Sequence, residues 1–311
     1  MAPSIEAVGL TKKFGDFAAV TGLNLKLQGA KCVGFLGPNG AGKTTTMKIF
    51  TGLISATDGT ALINGVDIDK DKKAALASCT SLIETPEIYP SLTPKEALTM
   101  LCAIRGVPSS ERSKRIDEAI GRVKMQEWEN KKVGSFSKGM KQRINVASTL
   151  LSDPDVIFLD EPTTGLDPRG MSEVRDIVKS LNDRLVFMSS HLLAEVTEVC
   201  QEVAMIDHGK LLVYDTIGSV TSKFAGGGGN VDVGFSRPVD AQTVSKIRSL
   251  EGVQSATASG ETHIMVIFDQ KAISQSRLFE GIAGLKVGAV SLKEAASGLE
   301  DAYLSLIKET L

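Results

Sequence analysis

The stretch Cys32-Val33-Gly34-Phe35-Leu36-Gly37-Pro38-Asn39-Gly40-Ala41-Gly42-Lys43-Thr44-Thr45 governs how the rest of the chain is read. Cys32 to Leu36 is a short, continuously apolar run, the pattern of a parallel strand covered on both faces. It leads into a glycine-rich turn, and Thr45 to Phe50 opens a helical pattern. Strand, G-x-x-x-x-G-K-[ST] turn and helix in that order form a phosphate-cradling P-loop. Gly37, Gly40 and Gly42 let the backbone fold with its N–H groups turned toward phosphate oxygens. Pro38, Asn39 and Ala41 complete the loop, and the helix adds its positive N-terminal end. Lys43 supplies a point charge to the outer phosphates, and the Thr44 hydroxyl suits Mg²⁺. Thr45 belongs to the same set, which predicts binding of a nucleotide.

Two further apolar runs extend the pattern. Val156 to Leu159 leads into Asp160-Glu161. Buried apolar residues followed by paired carboxylates are costly unless the acids meet a cation or a reaction. Taken alone, adjacent acids at a strand end are more often a helix cap. Beside a P-loop, Asp160 is placed to hold Mg²⁺ and Glu161 to polarise an attacking water. Leu185 to Met188 ends at Ser189-Ser190-His191. A lone histidine is usually structural, but open α/β sheets bind ligands at the C-terminal ends of their strands. His191 is therefore expected at the γ-phosphate.

Bulk properties fit this picture. The 311 residues carry 35 basic and 37 acidic side chains, a net charge of −2, without the basic excess expected of a nucleic-acid binder. Four scattered cysteines, Cys32, Cys79, Cys102 and Cys200, form no CxxC pair, as expected of reduced thiols in a cytosolic protein. Met1 to Phe14 lacks the pattern of a signal peptide. No stretch approaches the ~20 apolar residues of a membrane helix, so work on a membrane would need a separate spanning chain.

Strand-like and helical patterns alternate up to about residue 215, predicting an α/β domain. From about 88 to 152 helical signals dominate. Thr93-Pro94-Lys95-Glu96 is a helix start with a capping box, and Arg112 to Met125 predicts a second helix with Ile116, Ile120 and Val123 on one face. Residues 1–222 are thus expected to form a nucleotide-binding core with a helical insertion. Gly226 to Gly229 predicts a flexible linker, placed at 223–230. After it, residues 231–311 read as strand, helix, strand, strand, helix, strand, the βαββαβ order of a small α+β ferredoxin-like domain. A terminal helix is expected over Leu299 to Ile307.

Phe136-Ser137-Lys138-Gly139-Met140 precedes a helix whose Ile144, Ala147 and Leu151 share a face. Ser137 is a good N-cap, and by itself the segment could be an ordinary capped helix. The ordered set of P-loop, this segment, Asp160-Glu161-Pro162, Gly165-Leu166-Asp167 and His191 resembles the nucleotide-binding domains of ABC transporters, over residues 4 to 220. The usual Leu-Ser-Gly-Gly-Gln signature is altered, keeping Ser137 and Gly139. Glu84 stands where the family has a Gln that meets Mg²⁺ and couples to the membrane subunit. These departures, with Tyr89-Pro90 and the tail Gly298-Leu299-Glu300-Asp301-Ala302-Tyr303, are similar to the bacitracin-resistance (BcrA-like) export ATPases.

The resemblance implies a P-loop NTPase fold and a head-to-tail dimer, with a second copy or a homologous ATPase. ATP on Lys43 of one subunit would be closed over by Ser137 and Gly139 of the other. Phe14 would stack on adenine, although by its sequence alone it could be a core residue. Asp167 would communicate across the dimer. The implied partner is a transmembrane permease on a separate chain, with this subunit peripheral on the cytoplasmic face of the membrane. A soluble ABC-type ATPase without a membrane partner is the alternative.

Overall fold

Leu23, Leu25 and Leu27 are buried while Asn24, Lys26 and Gln28 are exposed, the period-2 alternation of a strand with one face on a core. This strand, Phe17–Gln28, belongs to a sheet that the sequence reading did not anticipate. The order is Phe17–Gln28, Ser4–Phe14, Asp58–Ile63, Val66–Asp67, with every pair antiparallel. Asn64 and Gly65, both at positive φ, make the two-residue turn into the last strand, the hairpin signal that Asn-Gly provides. The computed structural model describes residues 2–84, 87–224, 228–269, 272–294, 299, 300, 302, 303 and 306.

The chain clusters into two compact units that divide between Ile217 and Gly218. The first unit contains a second sheet of six strands, ordered Lys210–Thr216, Glu202–Asp207, Lys31–Leu36, Leu185–Ser190, Val156–Asp160, Cys79–Leu82. Lys210–Thr216 is an antiparallel edge, and the other five strands are parallel. Val156–Asp160 and Leu185–Ser190 are buried along their whole length, which explains their unbroken apolar reading. One core joins both sheets and the helix Lys43–Phe50. At its centre Phe35 and Phe187 lie 5.0 Å apart, and Phe50 and Phe158 lie 5.8 Å apart. Each such ring buried contributes about 1.5–3 kcal/mol.

The helical insertion is present as Pro94–Ile104, Ser109–Arg122 and Lys138–Leu150. Thr93 and Glu96 form the capping box that their spacing predicts. The second helix lies three residues earlier than expected. Lys124, at φ 55°, turns the chain into the left-handed region and ends the helix before Met125. Ile116, Ile120 and Val123 are still buried.

The second unit runs in the βαββαβ order: Gly228–Phe235, Ala241–Arg248, Val253–Ala258, His263–Asp269, Gln275–Gly284, Ala289–Glu294. Its antiparallel sheet is ordered Val253–Ala258, His263–Asp269, Gly228–Phe235, Ala289–Glu294. The Gly-rich stretch is not all linker. Ile217–Phe224 is a helix, and Gly228 and Gly229 pair with Asp269 and Phe268; the neighbouring strand supplies partners that outweigh glycine's weak strand preference. Residues 225–227 lie outside the described residues, as do Thr85, Pro86 and, in the segment read as a terminal helix, Asp301, Leu304, Ser305 and Ile307.

Candidate functional site

Parallel pairing brings three strand ends side by side. Leu36 is opposite Ser190, and Asp160 is opposite Ser189. The segments that leave these ends are the glycine-rich loop, Glu161-Pro162-Thr163-Thr164, and His191. In the loop, Gly42 has φ 103°, and a Cβ there would lie 2.4 Å from the Ala19 carbonyl oxygen. Only glycine fits.

Lys43 is 5% exposed. Its Nζ donates to the carbonyls of Gly37 at 2.7 Å and Pro38 at 3.1 Å, and lies 3.3 Å from Glu161 Oε1. The other Glu161 oxygen accepts from Thr164 Oγ1 at 2.9 Å and contacts His191 Nδ1 at 2.5 Å. Burial pushes the Glu161 carboxyl up, but the hydrogen bonds from Thr164 and His191 and the charge of Lys43 outweigh it. The group is therefore held below the ordinary carboxylate range and stays ionised.

Asp160 is buried beside Thr44, whose Oγ1 donates to Oδ2 at 2.9 Å. The Ser189 hydroxyl donates to Asp160 Oδ1 at 2.5 Å and accepts from the Glu161 N–H at 2.9 Å. A hydroxyl and a carboxylate adjoining the phosphate loop are hard oxygen donors, and they fit Mg²⁺, which keeps several waters and takes few protein ligands.

An open cavity of about 420 Å³ lies over these groups, lined by Asn39, Gly40, Gly42, Lys43, Thr44, Thr45, Glu161 and His191 among others. Phe17, Ala19 and Thr164 also line it, and the sequence reading singled out none of them. A hydroxyl three residues after Glu161 was the one signal for Thr164. Gly37, Pro38 and Ala41 do not line it; the carbonyls of Gly37 and Pro38 accept from Lys43, and the Ala41 carbonyl accepts from the Gly209 N–H at 3.0 Å.

The remaining expected residues do not line this cavity. Phe14 is half exposed, with the Lys12 ammonium 5.0 Å from its ring centroid. Glu84, at φ 61°, pairs with Lys48 at 2.5 Å. Ser137 caps its helix by accepting from the Met140 N–H at 3.2 Å. A Cβ on Gly139 would lie 3.2 Å from Gly170 Cα, so two helix starts approach closely there. Asp167 caps the second of them by accepting from the Gly170 N–H at 2.8 Å. Ser137, Gly139 and Asp167 therefore belong to two adjoining helix starts, and none of them lines the cavity at Lys43. Among the described residues, no helix is long and apolar enough to cross a membrane.

Residues 20–164 match the family model described as ABC transporter. The chain is 40% identical over 215 residues to the bacitracin transport ATP-binding protein BcrA of Bacillus licheniformis, covering 68% of this chain and 69% of that one. It is 30% identical over 312 residues to the linearmycin resistance ATP-binding protein LnrL of Bacillus subtilis, covering 99% of each. Among solved structures, a dimeric ATP-binding cassette in a post-hydrolysis state bound to ADP and Pi has the same fold. The TM-score is 0.60 at 22% identity, covering 68% of this chain and 98% of that one.

Proposed function

Because the chain belongs to the ABC transporter family as an ATP-binding, ATP-hydrolysing subunit, we propose that it drives an exporter whose channel is a separate transmembrane permease. The observation that carries this reading is the Glu161 carboxylate, ionised and held between Lys43, Thr164 and His191 on the wall of the open cavity of about 420 Å³. Export is favoured because relatives that share its length or its core are named for antibiotic transport or resistance.

ATP binds with its phosphates in the loop from Gly37 to Thr45. Lys43 exchanges its carbonyl contacts for phosphate oxygens. Glu161 accepts a hydrogen bond from a water and turns the water's lone pair toward the γ-phosphorus. The water oxygen bonds to that phosphorus as the bond from it to the β-phosphate oxygen breaks; one water proton stays on the product phosphate and the other leaves to solvent by way of Glu161, giving ADP and phosphate. His191 holds Glu161 and contacts the γ-phosphate. Mg²⁺, held by Thr44 and Asp160, would neutralise charge on the phosphate oxygens. Phe14 stacks on adenine, and Phe17 on the cavity wall offers a second aromatic face.

Closure comes from a second copy or a homologous ATPase, whose Ser137 and Gly139 cover the nucleotide and whose Asp167 reports across the interface. That none of them lines the cavity at Lys43 within one chain supports closure from outside. The subunit sits on the cytoplasmic face of the membrane. Its coupling surface lies near Glu84 and Tyr89, the latter 65% exposed. The Glu84 charge, paired with Lys48, adjusts metal affinity and coupling.

Glu161→Gln tests the chemistry. ATP binding should persist while turnover is abolished and a dimer accumulates, read by nucleotide affinity, phosphate release and sedimentation. Full ATPase activity would refute the assignment. Purification from solubilised membranes tests the coupling, and recovery of soluble partners alone would favour the alternative of an ATPase without a permease.

A further inference from the structure

Glu195 is 1% exposed, and its two carboxylate oxygens serve two different segments. Thr163 Oγ1 donates to Oε1 at 2.7 Å, and Ser190 Oγ donates to Oε2 at 2.6 Å. Thr163 follows Glu161 by two residues, and Ser190 immediately precedes His191. Both hydroxyl residues are buried, and Ser190 Oγ also accepts from the Leu192 N–H at 3.0 Å. A carboxylate so deeply buried is unfavourable unless its hydrogen bonds are satisfied. Burial does push its carboxyl up, against the two hydroxyl bonds. The neighbouring Val196 and Val199 fill their positions with apolar carbon. At 195 the fold keeps a buried acid with a hydroxyl on each oxygen, which calls for a role.

We propose that Glu195 is a positioning residue for ATP hydrolysis: its buried carboxylate ties the turn carrying Glu161 to the strand end carrying His191 and so sets their contact. This rests on the reading of Glu161 and His191 given above. The carboxylate reaches them through hydroxyls nearby in the chain, Thr163 two residues after Glu161 and Ser190 next to His191. The tether fixes a distance, and it does so out of reach of solvent.

The test measures kcat, KM, nucleotide affinity and Tm for Glu195→Ala, Glu195→Gln and Thr163→Val, with Glu161→Gln in parallel. Loss of the tether should lower kcat in Glu195→Ala by roughly ten- to a hundred-fold, the scale of a misplaced reacting group. Nucleotide affinity should stay within about two-fold, because the phosphate loop is untouched. Glu195→Gln should recover kcat to within about three-fold, since an amide can accept from one hydroxyl and donate to the other. A kcat in Glu195→Ala within about two-fold of the parent, or equal losses in the Ala and Gln variants, would overturn the proposal. Where Glu195→Ala fails to fold, Thr163→Val decides by deleting a single hydroxyl. A fall in kcat at constant affinity supports the tether, and no change overturns it. Full turnover in Glu161→Gln would instead remove the reading beneath the proposal, whatever the Glu195 variants do.

Discussion

Two glycines of the phosphate loop separate conformational strain from collision, and substituting each by alanine measures both. Gly40 has φ 83° and Gly42 has φ 103°, so either alanine would occupy a backbone region that L-residues rarely adopt. Around Gly40 nothing lies within 4 Å of an added Cβ, whereas at Gly42 the Ala19 carbonyl oxygen would be 2.4 Å away and Val20 Cγ2 3.4 Å. The strain alone costs about 1–2 kcal/mol, partly offset because alanine restricts the unfolded chain. A backbone oxygen cannot rotate aside, so at Gly42 the loop or the strand end near Ala19 must shift, adding about 1–3 kcal/mol as in overpacked cores. With about 2–4 °C of Tm per kcal/mol for a unit of this size, Gly40→Ala should lower Tm by about 2–6 °C. Gly42→Ala should lower it by about 5–15 °C. Thermal denaturation by circular dichroism reads the difference, and titration with a fluorescent ATP analogue reports on the loop. Gly42→Ala should also weaken binding about five- to thirty-fold, an estimate from the loss of aligned N–H donors (about 1–2 kcal/mol). Equal Tm values for the two variants would refute the collision, and an unchanged affinity in Gly42→Ala would refute the placement of the loop at the phosphates.

Two further expectations follow from the same site. Thr44→Val removes the hydroxyl that faces Asp160 while keeping side-chain shape, so ATP affinity in the presence of Mg²⁺ should fall about ten-fold or more. Affinity in EDTA should change little, and equal losses under both conditions would contradict the proposed metal contact. Glu161 is held below the ordinary carboxylate range, so its folded pKa lies below the unfolded value of about 4.3. The stability it contributes is present above that value and is lost as pH falls through the folded pKa. The Tm gap between the parent and Glu161→Gln should be constant near neutrality and close below about pH 4.3; a gap that widens on acidification would have the wrong sign.

Much of the ATP-binding core was legible because its chemistry is local. The phosphate loop is contiguous, and strands buried on both faces write themselves as apolar runs such as Val156 to Leu159, with the reacting groups at their ends. The antiparallel sheet from Ser4 to Asp67 was also written, in the Leu23, Leu25, Leu27 alternation and in Asn64-Gly65, but half-buried strands give a fainter signal than continuous ones. Phe17 and Ala19 reach the cavity through that sheet's register with the loop, which no spacing rule encodes. Glu195 was invisible for a related reason. Within Leu192 to Val199 it reads as one acid of a solvated helix, and only the partners brought by Thr163 and Ser190 distinguish it. The insertion helix after Gly106 was misplaced at its ends, where Lys124 adopts a left-handed turn that lysine composition does not announce.

The Ser189 hydroxyl donates its only proton toward one acid and accepts the backbone N–H of the next. Metal affinity and water orientation, though assigned to separate side chains, are thereby anchored to the same atom. A change at this position cannot adjust one without disturbing the other, so variation that tunes the turnover rate has to enter elsewhere along the chain.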